Sequence, residues 1–272
     1  MNYSDQIPKN VLIRVPPRLI MPSPKILSDL SRLNDHFCQN FETAPPTSWP
    51  ADRELHHPEK LKSIDISGFP GLNDELQQFL PKVAVRQSHS FRELSRRSKA
   101  EFHAYSQTID MLSISCLNNS ELYRALDYAF TELTGKEMEF RERPAFIKKD
   151  PRGNIVAFPD HTTCRSLLDE SFTFISRFAE SNVLVSAAVL LVCIVHAHPF
   201  RDGNGRTSRV LCNIIISKLL SNRHYIFISL ISLIAKGAFV LKLRRAMYGQ
   251  EWRAICEFLS DALTVSIKLQ KT

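Results

Sequence analysis

One run of the chain, His198-Pro199-Phe200-Arg201-Asp202-Gly203-Asn204-Gly205-Arg206-Thr207-Ser208-Arg209, gathers several groups that together can do chemistry on a phosphate. His198 offers an imidazole whose ordinary pKa suits proton transfer near neutral pH. Asp202 offers a hard oxygen ligand of the kind that holds a phosphate-bound Mg²⁺. Gly203, Asn204 and Gly205 tolerate positive φ, so successive backbone N–H groups can point into one concavity and receive an anion. Arg206 and Arg209, three residues apart, would project from one side of the helix that follows and meet further negative charge. A base, a metal ligand, an anion nest and two guanidiniums within so short a span predict a phosphate site with a reactive group beside it.

Such a site needs elements on both sides to hold it. The apolar stretch Val189, Leu190, Leu191, Val192, Ile194 and Val195 reads as a buried helix that delivers His198, and Pro199 ends that helix there. A further helix starting at about Gly205 would aim its positive end at the same place. Helical periodicity predicts the remaining elements of the second half over about Lys99–Ser115, Ser120–Leu133, Thr163–Glu180, Asn182–His196, Gly205–Leu220, Ser229–Met247 and Glu251–Ile267. Between the second and third of these the texture changes. Arg143–Lys149 and Asn154–Phe158 flank Asp150-Pro151-Arg152-Gly153, a turn sequence, and so predict a β-hairpin. The expected fold is all-α with that one hairpin. Prolines crowd the first third and break helices there, apart from one amphipathic helix over Pro24–Phe41. Residues 1–85 are therefore expected to form a Pro-rich N-terminal extension, and residues 86–272 the main domain.

Composition bounds the function. With 272 residues, 44% hydrophobic and 23% charged, the chain is an ordinary globular sequence. The net charge of +7 suits an anionic ligand, yet the basic residues are dispersed. The tight cluster at Arg92, Arg96, Arg97 and Lys99 reads as a solvated helix face, so no nucleic-acid partner is expected. Six cysteines lie far apart with no metal-binding spacing, which points to a reducing, cytoplasmic setting. His56-His57 and His161 lack matching ligands and read as surface residues, and His196 reads as packing or as a support behind the site residues. No secretory leader and no membrane span are expected: Val183–Val195 and Tyr225–Ala235 are too short and read as core.

The motif resembles the signature of the Fic family, His-x-Phe-x-Asp/Glu-Gly-Asn-Gly/Lys-Arg-x-x-Arg, at every fixed position. The similarity extends in order and spacing over roughly residues 100–268, and Phe140–Pro159 resembles the hairpin "flap" of that family. It implies a Fic-type helical bundle with the flap beside the active-site loop. It also implies an enzyme, a protein adenylyltransferase that moves AMP from ATP onto a Tyr, Thr or Ser hydroxyl of a target protein. By the resemblance, His198 is the catalytic base, Asp202 holds Mg²⁺, and Gly203, Asn204 and Gly205 bind phosphate oxygens. Arg206 then meets the β-phosphate and Arg209 the γ-phosphate, Phe200 anchors the loop, and Ile147 and Lys148 of the flap hold the target segment. Relatives that transfer UMP, phosphate or phosphocholine, and a non-catalytic scaffold for protein binding, are the alternatives. Gly205, where the phosphate-transferring branch has Lys, favours AMP. The family includes toxins and effectors. Many members silence themselves through a Ser/Thr-x-x-x-Glu-Gly/Asn helix whose Glu pairs with the second motif Arg. No Glu in this chain is followed by Gly or Asn, so the inhibitory helix belongs to a separate antitoxin-like protein, which is the favoured expectation, or has diverged, or such control is absent.

Overall fold

A computed structural model of the chain describes residues 12–47, 65–73, 91–111, 117–147, 155–235 and 237–271. Its elements in chain order are β1 (Leu12–Arg14), α1 (Pro24–Asp29), α2 (Ser31–Glu42), α3 (Phe91–Met111), α4 (Asn119–Thr134), β2 (Phe146–Ile147) and β3 (Ile155–Ala157). There follow α5 (Cys164–Phe178), α6 (Val183–Ala197), α7 (Asn204–Leu219), α8 (Ile228–Ile234), α9 (Ala238–Gly249) and α10 (Trp252–Lys271). The architecture is the expected helical one with a small sheet.

Helix α6 is the axis. Every residue from Val183 to Ala197 except Val195 is buried, as expected of a helix that is apolar all round. It packs against α2, α5, α7, α9 and α10. Each Leu, Ile or Val side chain removed from water there stabilises the fold by about 1.5–3 kcal/mol. The first turn of α6 is satisfied from outside: Asn34 of α2, 5% exposed, accepts a hydrogen bond from the Leu184 N–H at 3.0 Å. At the other end of α2, the Asn222 amide donates to the carbonyls of Phe41, Glu42 and Ala44 at 2.8–3.0 Å. The segment around α1 and α2 is thus bonded both to the start of α6 and to Asn222, just beyond α7.

Four expectations are corrected. The helix predicted over Pro24–Phe41 is two helices broken at Leu30, where the Ser31 hydroxyl bonds the Ser28 carbonyl instead of leaving it to the ladder. The helix predicted over Ser229–Met247 is also two, because Gly237 adopts φ +100 between them. The hairpin is one part of a three-stranded sheet of order β1-β3-β2, with β3 antiparallel to β2 and parallel to β1. The turn Asp150–Gly153, the last residues of the helix predicted to Ser115, Cys116 and His56-His57 lie outside the described residues. Helix α3 begins at Phe91, eight residues before its predicted start at Lys99. No helix among the described residues is long and apolar enough to cross a membrane.

Candidate active site

Helix α6 ends where the sequence places its chemistry. His198 is the C-cap residue in the left-handed region (φ 49, ψ 53), and its N–H closes the last turn onto the Ile194 carbonyl at 3.0 Å. The ring is half-buried and stacks on Phe158, the residue after β3, with centroids 3.8 Å apart and planes 16° from parallel. Burial pushes its pKa down to about 4; the Arg141 guanidinium pushes the same way, while the Val195 backbone and Asp202 oppose it. This is lower than the ordinary imidazole value expected from sequence, because the sequence does not show that Phe158 covers the ring. Nδ1 is buried and lacks a well-formed hydrogen bond, so the outer nitrogen, Nε2, is the one left to take a proton.

The loop after His198 is fixed from within. Phe200 is fully buried against Phe130, with ring centroids 4.3 Å apart. The Asn204 side chain accepts from the Phe200 N–H at 2.9 Å and donates to the Phe200 carbonyl at 2.8 Å. Asn204 therefore spends its side chain on holding the loop closed. Gly203, at φ +90, is the N-cap of α7 and supplies no side-chain cap. The first intrahelical bond runs from Thr207 N–H to the Gly203 carbonyl, which leaves the N–H groups of Asn204, Gly205 and Arg206 without helical partners. That is an anion-receiving helix end of the predicted kind.

The charged members are arranged differently from the sequence reading. Asp202, with its side chain 91% exposed, pairs with Arg206 at 3.1 Å. A single open carboxylate beside a helix N-terminus fits a Mg²⁺ that arrives with phosphates, since that ion commonly takes one or two protein carboxylates and completes its shell with phosphate and water. Among the described residues no group of three or more His, Cys, Asp or Glu could hold a metal without such help. Arg209 does not face the nest freely. Its Nη2 and Nε donate to the two carboxylate oxygens of Glu101 at 2.5 and 3.2 Å, and Glu101, fully buried, also accepts from the Ser229 hydroxyl at 2.6 Å. Between Phe130, Thr134 and Phe140 on one wall and Asp202 and Arg206 on the other lies a cavity of about 380 Å³. Ile147 of β2 is half exposed; Lys148 lies outside the described residues.

The structure thus brings His198, Asp202, Gly203, Asn204, Gly205 and Arg206 to one end of α6 and α7, with Arg209 one turn along and engaged. Sequence reasoning missed Glu101, Arg141 and Phe158. Glu101 left a signal: it falls on the buried stripe of α3 with Ser98, Ala104, Tyr105 and Thr108, where a carboxylate needs a partner.

The Fic/DOC family model matches residues 117–216, a span that holds α4, the sheet strands β2 and β3, α5, α6, the motif and most of α7. None of the curated proteins matches the chain. Among solved structures, a Fic family protein from Desulfovibrio desulfuricans G20 superposes with a TM-score of 0.52 at 16% identity, covering 92% of this chain and 75% of that one. A Fic domain containing signaling protein from Bacteroides thetaiotaomicron VPI-5482 gives 0.46 at 17% identity, with 90% of each chain covered. Residues 117–216, which carry the motif at the junction of α6 and α7, thus match the Fic/DOC family model, and the fold around them is similar to that of a solved Fic family protein.

Proposed function

We propose that this protein is an adenylyltransferase that moves AMP from MgATP to a Tyr, Thr or Ser hydroxyl of a target protein and releases pyrophosphate. Fic domain proteins transfer nucleotides or phosphate-linked groups onto proteins, and the finer assignment rests on one observation. A neutral His198 sits in a left-handed turn shortly before a helix whose first N–H groups have no helical partners and no side-chain cap. In this reading the target hydroxyl oxygen attacks the α-phosphorus and its proton passes to Nε2 of His198. The bond from that phosphorus to the α,β-bridging oxygen breaks, and pyrophosphate leaves. The N–H groups of Asn204, Gly205 and Arg206 receive phosphate oxygens, and Arg206 exchanges Asp202 for phosphate. Mg²⁺ held by Asp202 would supply further neutralisation of phosphate charge. Negative charge arriving beside His198 raises its pKa and makes it a stronger base than in the free protein. Ile147 and Lys148 of the flap would align the acceptor segment.

Arg209 would reach a γ-phosphate only after leaving Glu101. We read the Glu101–Arg209 pair as a hold that the chain applies to itself, which makes a separate antitoxin-like protein unnecessary for covering this arginine. The test uses purified protein, lysate and two forms of labelled ATP. Label at the α-position should mark a protein band, need Mg²⁺ and vanish in His198→Ala, while γ-label leaves the band dark. A band labelled only from the γ-position would replace this reading with phosphate transfer, and no band from either would leave a binding scaffold.

A further inference from the structure

We propose that Arg141 is the positioning residue that locks the His198 turn and both feet of the flap into one rigid unit. For its catalytic meaning this rests on the adenylyltransferase reading; for its structural content it does not. Arg141 is 4% exposed and sits in the loop between α4 and β2. Its Nε donates to the His198 carbonyl at 2.7 Å and its Nη2 to the Ala197 carbonyl at 3.4 Å. On the other side, Nη1 donates to the Arg143 carbonyl at 2.9 Å and Nη2 also to the Pro159 carbonyl. Its own backbone N–H donates to the Pro199 carbonyl at 2.7 Å.

The arrangement follows from how α6 ends. The left-handed turn at His198 leaves the Ala197 and His198 carbonyls beyond the reach of helical N–H donors. Cys164 supplies one weak donor, its thiol lying 3.3 Å from the Ala197 carbonyl; the rest comes from Arg141. A guanidinium carries five donors in a planar fork and stays charged, so one side chain can serve carbonyls on two opposite segments. It also places a cation at the negative end of α6. A lysine at this position would present three donors on a single atom and could not span the two sides.

What is spanned matters. Arg143 lies just before β2 and Pro159 just after β3, so the two feet of the flap are bonded to the same guanidinium that also holds the His198 carbonyl. Phe158, next to Pro159, forms the stack on the His198 ring, and its N–H is tied to the Ala145 carbonyl at 3.1 Å across the base of the flap. The ring–ring contact is therefore set by bonds that converge on Arg141. Any shift of the flap would be felt at the imidazole, and the reverse.

The test is made on the full chain with Arg141→Gln and Arg141→Lys. In the wild type the ring protons of His198 should resonate upfield, because they lie over the Phe158 ring. Both variants should move them toward ordinary histidine positions while the buried His224, elsewhere in the core, keeps its own. Amide exchange at Ile155–Ala157 should speed by about tenfold or more, as for a locally opened element. Where transfer is measurable, kcat should drop by about 10²-fold with KM for ATP nearly unchanged, the signature of a misplaced group. The proposal is overturned if Arg141→Lys matches the wild type in resonance and exchange. Loss of the native His224 signal in both variants overturns it as well, since a general stabilising role then suffices. A wild type without transfer activity would remove the adenylyltransferase reading, and the resonance and exchange measurements would still decide this one.

Discussion

Arg209 meets a carboxylate, Glu101, and the physics of that pair sets what a nucleotide would have to overcome under the proposed function. Glu101 has no exposure and Arg209 18%, so the charges attract in a medium of low dielectric and water competes little. A triphosphate can displace Glu101 only by offering more charge and by bonding the N–H groups at the start of α7 at the same time. Glu101→Gln keeps the shape, and its amide oxygen can still accept from Ser229, but the charge is gone. We expect this variant to bind MgATP about tenfold more tightly by calorimetry, the equivalent of about 1.4 kcal/mol. Its melting temperature without nucleotide should fall, because a largely buried guanidinium loses its counter-charge. An unchanged nucleotide affinity in a folded variant would show that Arg209 plays no part in binding. The motif itself was legible because all its groups lie within one short run of sequence. The partner of Glu101 was not, since the pair spans 108 residues and the stripe of α3 shows only that this carboxylate needs a partner, not which one.

Short strands and helix breaks decide how the flap stands against the site. β1 has three residues, flanked downstream by Pro16 and Pro17, and carries no periodic signal of its own. It exists because its register with β3 pairs Leu12, Ile13 and Arg14 with Ile155, Val156 and Ala157. The strap continues beyond the sheet. Val15 donates to the Ala157 carbonyl at 2.8 Å, His196 bonds the Pro16 carbonyl at 2.8 Å, and Trp252 donates to the Ile20 carbonyl at 3.2 Å. Val15 and Leu19 are each only 4% exposed between those anchors. Deletion of residues 1–16 should therefore raise exchange at Ile155–Ala157 while α6 keeps its protection, read by hydrogen–deuterium mass spectrometry. Equal protection of β3 in the truncated chain would mean that the strap does not support the flap. Gly237 could have been flagged as a break within an apolar run. The parallel partner of β3 could not, because parallel pairing joins segments remote in sequence.

Among the described residues, His196, His198 and His224 sit where charge is disfavoured. Burial lowers the pKa of His196 and of His198 to about 4 and also lowers that of His224. The unfolded chain, with imidazoles near 6.5, then binds more protons than the folded one between about pH 4 and 6.5. Stability through these groups is complete above that window and falls as pH drops through it. Melting temperature should decline from pH 7 to pH 5, and replacing His196 by Gln should flatten the decline; a pH-independent melting point would contradict the burial of these rings. By itself the sequence determined the helical class, the buried axis α6, its end at Pro199 and the identity of the groups around the nest. Those features follow from periodicity, from proline and glycine stereochemistry, and from residues close enough in the chain to meet in any fold. Tertiary structure alone decided that Arg209 pairs with Glu101, that Phe158 covers His198, that Arg141 bonds the His198 turn to the flap, and that β1 completes the sheet. Each of these is a contact between distant segments, formed only because packing around α6 brings them together.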